Sequence, residues 1–394
     1  MTMKFAKRME RMQASEIREL LKLTQKPEII SFAGGLPAPE LFPVEELAKL
    51  AEDVLESEGR QLLQYATTEG RPTLRQKIAD RMLAKYNTKV SPDEILITTG
   101  SQQCLDFAGK LFLDPGDIVL CESPSYLGAL NAFNAYEPNF VEVPTDDGGL
   151  IPEELDKILS TTERCKFIYV IPDFQNPTGR TWSMERRTKF MEVVNKHNLP
   201  VLEDNPYGEL RFEGEILPSL KSMDTKGLVM FLGTFSKIFC PGLRLGWVAA
   251  VPEVVSEFVK IKQSADLHTS NFDQGLADAY IENYDLDAHV EQIKALYKHR
   301  RDLIIESMEK MMPEGVKWTH PEGGLFLWLT FPQGVSAAQV FLKCIEKNVA
   351  GVTGDAFFPN CKTDRNMRIN YSNMPDEKII EGIRRMAEAI KESM

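Results

Sequence analysis

Apolar positions along the chain follow two alternating periods. Short apolar-rich runs occur at residues 94–99, 117–121, 139–143, 166–171, 199–202 and 228–232. Runs of this length, punctuated by glycine, proline and acidic residues, predict strands of a sheet covered on both faces. Helical patterns lie before and between them, among them residues 73–85 and a helix opening at Ser125 and Tyr126. Ahead of them, residues 13–25 carry a rough stripe of Ile17, Leu20, Leu21 and Leu23, with Ser15 as N-cap. Such alternation predicts a doubly wound α/β fold. Past Val251 helices dominate, including a long one over 286–311 suited to carry the chain between lobes. Short strands return at 323–328, 349–353 and 367–372, and an amphipathic helix over 376–393 closes a smaller lobe.

Composition narrows the function. A chain of 394 residues can bury a large core in two lobes. Its 46 basic and 58 acidic side chains give a net charge of −12 without a run of like charges, which argues against a nucleic-acid surface and suits an enzyme of small anions. Cysteines 104, 121, 165, 240, 344 and 361 form no Cys-x-x-Cys pair, so reduced thiols and a cytoplasmic location are expected. The five histidines lack metal-ligand spacing, and no metal is expected. The charged N-terminus lacks the apolar core of a secretion signal, and no apolar run reaches membrane-spanning length.

The candidate chemistry centres on the segment from Gly233 to Gly246. Lys237 follows a buried run, where desolvation and a nearby cation lower an amine's pKa and free it for Schiff-base chemistry. Thr234, Ser236 and Arg244 bracket it with two hydroxyls and a guanidinium. A phosphate tied to that amine through a short ring needs these groups, and pyridoxal 5′-phosphate has that shape. Gly100-Ser101-Gln102 opens a helix whose first N–H groups, with Gln103 as a third, suit an anion; the same motif reads equally well as an ordinary capped turn. Asp204 falls at the C-terminal edge of a predicted strand, where open α/β sheets collect ligand-binding groups.

Ser236-Lys237 followed by Gly242-Leu-Arg244-Leu-Gly246 resembles the aspartate-aminotransferase superfamily, the type I fold of pyridoxal-phosphate enzymes. Thr234 stands where many relatives have serine, and it keeps the hydroxyl. The stretch around Ser15 and Arg18, followed by Gly34-Gly35, resembles the bacterial 2-aminoadipate aminotransferases, a subgroup related to kynurenine and aromatic transaminases. The resemblance runs from about Ser15 to the C-terminal helix. It implies a Schiff-base lysine at Lys237, with Asp204 on the pyridine nitrogen, Tyr207 and Asn176 on the phenolate oxygen, and Tyr126 stacked on the ring. It further implies Ser101, Gln102, Thr234, Ser236 and Arg244 at the phosphate, joined there by Tyr65 of the neighbouring subunit of a homodimer. For substrate it implies Arg368 at the α-carboxylate, Gly35 in close backbone approach, and Ser15 and Arg18 on a helix covering the site, where Arg18 meets a distal carboxylate.

The implied architecture is an N-terminal small-lobe segment over 1–42, a large cofactor-binding domain over 43–283 with a mostly parallel sheet, and a small α+β domain over 284–394. The implied reaction is ping-pong transamination from an L-amino acid (2-aminoadipate, glutamate, aromatic or branched-chain) to 2-oxoglutarate or a similar 2-keto acid. Two alternatives stand beside it. The same scaffold supports lyase chemistry, and it also serves as the effector lobe of transcription regulators. A regulator needs a DNA-binding domain, and only about forty residues, without a basic helix-turn-helix, precede the large lobe.

Overall fold

The computed structural model describes residues 3–12, 28–360 and 363–394. Its centre is a seven-stranded sheet in the spatial order Ile95–Thr98, Gly246–Ala249, Val229–Thr234, Val201–Asp204, Cys165–Val170, Ile118–Glu122, Asn139–Val143. Every neighbouring pair is parallel except the two made by Gly246–Ala249, which runs against both its neighbours. The apolar runs are explained by burial on both faces. Leu120, Ile168, Val170, Val201 and Val229 pack under the helices Pro152–Thr161 and Met184–His197, while Phe167, Tyr169, Leu202 and Met230 face the main core.

A smaller lobe holds a four-stranded antiparallel sheet, ordered Lys317–Trp318, Phe326–Thr330, Asn366–Asn370, Val352–Thr353. It is packed by Ala337–Glu346, Asp376–Lys391 and the long helix Leu286–Met311. The N-terminal strand Ile30–Ser31 joins this lobe by pairing in parallel with Val349–Ala350.

Three strand boundaries depart from the sequence pattern for local reasons. The run predicted at 199–202 becomes the strand Val201–Asp204, because Asn198 turns left-handed (φ 53°) and the Leu199 N–H closes the preceding helix on the Val194 carbonyl. The run at 323–328 starts as a strand only at Phe326. Gly323 instead bridges Arg211 so closely that a Cβ would strike the Leu210 carbonyl. The run at 349–353 splits at Gly351 into two short strands that serve different sheets.

Among the described residues, no helix is long and apolar enough to cross a membrane, and no group of three His, Cys, Asp or Glu could hold a metal ion.

Candidate active site

Because the strands Ile95–Thr98, Val201–Asp204 and Val229–Thr234 share one direction, their C-terminal ends open on one edge of the sheet. There, and against the small lobe, lies a cavity of about 660 Å³ that brings together Ser101, Asp204, Ser236, Lys237, Arg244 and Arg368. Tyr126, Asn176, Tyr207, Thr234, Gln102 and Gly35 also line it.

Asp204 ends its strand buried. Its Oδ2 accepts the Tyr169 hydroxyl at 2.7 Å, whereas Oδ1 is buried without a hydrogen-bond partner. Burial pushes its carboxyl up to about 7. An orphaned buried oxygen of this kind suits an N–H donor entering the cavity. Lys237 lies three residues past the end of its strand and donates from Nζ to the Gly35 carbonyl at 2.7 Å. Burial, then the charges of Arg368 and Arg244, bring its amine down to about 8.

A candidate anion seat lies where two segments touch. Gly100 (φ 74°) precedes the helix Ser101–Phe112, and a Cβ there would collide with the Arg244 guanidinium. First-turn N–H groups have no carbonyl partner within their helix, so those of Ser101 and Gln102 are the available donors. The third candidate does not belong with them, because the Gln103 N–H is taken by the Gly100 carbonyl at 3.1 Å. The Gln102 side chain is also engaged, donating to the Gly128 carbonyl at 2.8 Å. The Thr234 hydroxyl lies 2.9 Å from Ser236 Oγ and 3.1 Å from the Leu245 carbonyl, and it accepts the Ser236 N–H at 3.1 Å. With its bonds turned inward, Thr234 braces Ser236.

On the small-lobe side, Arg368 is buried and donates to neutral oxygens, Asn176 Oδ1 at 2.8 Å and the Ala33 carbonyl at 2.6 Å. Its guanidinium lies 4.2 Å from the centre of the Phe326 ring and 5.1 Å from that of Phe357. Burial lowers its pKa to about 10, and among the described residues it has no acidic partner. Asn176 turns its amide to the Tyr207 hydroxyl at 3.4 Å. The Tyr126 ring folds over Gly128, where a Cβ would clash with it.

Tyr65 stands apart from this cavity. It is 79% exposed and meets His268 edge-on, with 6.0 Å between ring centres. Ser15 and Arg18 lie outside the described residues. The sequence pattern missed Tyr169 and Phe326, which it placed only as members of strand runs, and Phe357, which it did not single out. Tyr169 carried one usable signal, since a tyrosine within a buried strand needs a partner for its hydroxyl.

The residues present fit pyridoxal 5′-phosphate: a depressed amine, an orphaned carboxylate oxygen and an anion seat share one cavity. The comparisons with known proteins agree. A family model for aminotransferase class I and II matches residues 28–386. Aromatic-amino-acid aminotransferase 1 of Thermococcus litoralis is 47% identical over 387 residues, which cover 97% of this chain and 93% of that protein. The crystal structure of Pyrococcus horikoshii kynurenine aminotransferase, in complex with PMP, superposes with a TM-score of 0.95 at 43% identity, covering 99% of this chain and 97% of the other. That of the Thermus thermophilus alpha-aminoadipate aminotransferase LysN, complexed with N-(5′-phosphopyridoxyl)-L-leucine, gives 0.92 at 41% identity, covering 98% and 97%. All three relatives are aminotransferases, which favours amino transfer over elimination on the same scaffold. The chain belongs to the class I and II aminotransferases and is a type I fold, pyridoxal-phosphate-dependent enzyme of that family.

Proposed function

We propose that this aminotransferase takes the amino group from an L-amino acid, with 2-aminoadipate, glutamate, aromatic and branched-chain donors as the candidate set, and passes it to 2-oxoglutarate or a similar 2-keto acid. The carrying observation is the buried guanidinium of Arg368, without an acidic partner among the described residues, facing the same cavity as Lys237 and Asp204. A buried cation of this kind suits the carboxylate common to amino and keto acids.

When bound, pyridoxal 5′-phosphate supplies an electron sink for charge released at the substrate α-carbon. Asp204, aimed by the Tyr169 hydroxyl, offers Oδ1 to hold the proton on the ring nitrogen. Asn176 and Tyr207 would hold the phenolic oxygen, and Tyr126 would pack on the ring. Ser101, Gln102, Ser236 and Arg244 bind the phosphate, with Thr234 behind Ser236. Arg368 would hold the donor by its carboxylate and so set the direction of its Cα–H bond. Lys237 Nζ would hold the cofactor and, once freed by an incoming amino acid, would take up the α-proton and pass it on, which its amine, brought down to about 8, suits. With water supplying the carbonyl oxygen, the 2-keto acid would leave, and the same residues would serve the acceptor in reverse.

The enzyme would work as a homodimer with shared active sites, in which Tyr65 serves the neighbouring subunit's cofactor. Support comes from the exposure of Tyr65 outside its own cavity, beside Leu63 at 74% and Leu267 at 45%. Domain limits at 42/43 and 283/284 are part of this reading, supported by the helix Val44–Leu62 that starts just after the first and the gap before Leu286–Met311 at the second. Five free cysteines among the described residues support a cytoplasmic setting. Ser15 and Arg18 complete the substrate side, and Gly35 keeps room for it. A panel of amino donors assayed against 2-oxoglutarate tests the reading; release of keto acid without acceptor-dependent turnover would refute it.

A further inference from the structure

Gly100 has no side chain with which to cap the helix that forms the anion seat. Capping passes to Gln103, whose Oε1 accepts the Thr99 N–H at 3.0 Å while its own N–H returns to the Gly100 carbonyl. Both ends of that amide are held from elsewhere. Lys262, on the helix Pro252–Ala265, donates from Nζ to Gln103 Oε1 at 2.7 Å. Gln103 Nε2 donates to Asp266 Oδ2 at 2.7 Å, and the Thr99 hydroxyl donates to the same oxygen at 3.0 Å. Lys262 and Asp266 close the network at 2.9 Å.

The Lys262 side chain is wholly buried. Stripping an ammonium of water costs several kcal/mol, and an apolar replacement of similar volume often packs as stably, so fold stability alone does not explain the pair. What the network fixes is the backbone from Thr99 to Gln103, which carries the Ser101 and Gln102 N–H groups. From below, the turn rests on the strand Gly246–Ala249 so closely that a Cβ at Gly246 would sit 2.6 Å from the Ser101 nitrogen. None of the three network residues lines the cavity.

We propose that Gln103, Lys262 and Asp266 are positioning residues for the phosphate of the cofactor: they hold the Ser101 and Gln102 N–H groups in the direction a phosphate monoester requires. Donors ordered before the ligand arrives spare it the entropy of ordering them. The proposal rests on the phosphate seat assigned under the proposed function.

The test compares pyridoxal 5′-phosphate with pyridoxal, which lacks the phosphate, in equilibrium titrations of the apoprotein. Lys262→Met and Gln103→Leu should weaken the phosphorylated ligand by roughly 10- to 100-fold, the range seen for outer-shell partners of other bound ions. Pyridoxal affinity should change by less than about twofold, because Lys237 and Asp204 are untouched. If Lys262→Met does not fold, Lys262→Met/Asp266→Asn removes both charges without stranding one and carries the same expectation. Equal weakening of both ligands, or of neither, overturns the proposal. Arg244→Ala serves as the control for the seat: an unchanged ratio in the network variants alone refutes the positioning role, and an unchanged ratio in Arg244→Ala as well refutes the seat beneath it.

Discussion

Arg368 and Asn176, 192 positions apart in the sequence, meet in a buried hydrogen bond in which the arginine Nη1 donates to the asparagine Oδ1 at 2.8 Å. The arginine comes from the small-lobe strand Asn366–Asn370 and the asparagine from the loop after Cys165–Val170 of the large sheet. One side chain therefore links the lobes, the proposed phenolic-oxygen site and the proposed carboxylate site.

Arg368→Lys should lower kcat/KM for every amino donor by a similar factor, roughly 10- to 100-fold, since an ammonium replaces the planar fork that Asn176, the Ala33 carbonyl and the two rings hold in place. Steady-state kinetics with one charged and one aromatic donor check this. A loss confined to one donor would assign Arg368 to the side chain.

Asp204→Ala should slow the amino-donor half-reaction far more than it weakens cofactor binding, because the carboxylate acts on charge that develops during reaction. Stopped-flow single turnovers set against cofactor dissociation measure the two effects separately. An unchanged single-turnover rate would remove the role.

The same residue sets a pH dependence in the apoprotein. Its folded pKa is raised from 3.8 to about 7, so the folded chain holds a proton there that the unfolded chain has lost. Stability from this group is full below the unfolded pKa and declines as pH rises to about 7. Asp204→Asn should match wild type at low pH and be more stable at pH above the folded pKa by roughly 2–4 kcal/mol. Denaturant melts of both apoproteins across this window decide the matter.

Lys237 should make reconstitution pH-dependent. Its folded pKa is depressed from 10.5 to about 8, and only the neutral amine attacks an aldehyde. The rate of cofactor attachment to the apoprotein should climb with pH and level off above about 8, and borohydride reduction should place the label on Lys237. A climb that continues to the ordinary lysine value, or a label on another lysine, contradicts the assignment.

Tyr65 should act across a dimer interface. Hybrids of an inactive Lys237→Ala chain and a weakened Tyr65→Phe chain should regain one intact site. Absence of recovery despite proven subunit exchange would mean that each chain builds its site alone.

The sequence by itself determined most of the order of strands and helices, though not the strand Gly246–Ala249, and the stations along it: Gly100-Ser101, Asp204, Ser236-Lys237 and Arg244. These are local properties. Period, turn chemistry and strand ends are written in residues a few positions apart, and the parallel direction of the strands Ile95–Thr98, Val201–Asp204 and Val229–Thr234 then places their ends on one edge. Tertiary structure alone decided what each station touches. Gly246–Ala249 inserts against the direction of its neighbours and thereby lays Arg244 on Gly100, an outcome no local pattern encodes. Tyr169 reaches Asp204, Gly35 reaches Lys237 and Lys262 reaches Gln103 across separations of 35, 202 and 159 residues. Such contacts depend on sheet order and lobe packing, and a buried polar group takes whichever partner the packed chain brings within hydrogen-bond distance.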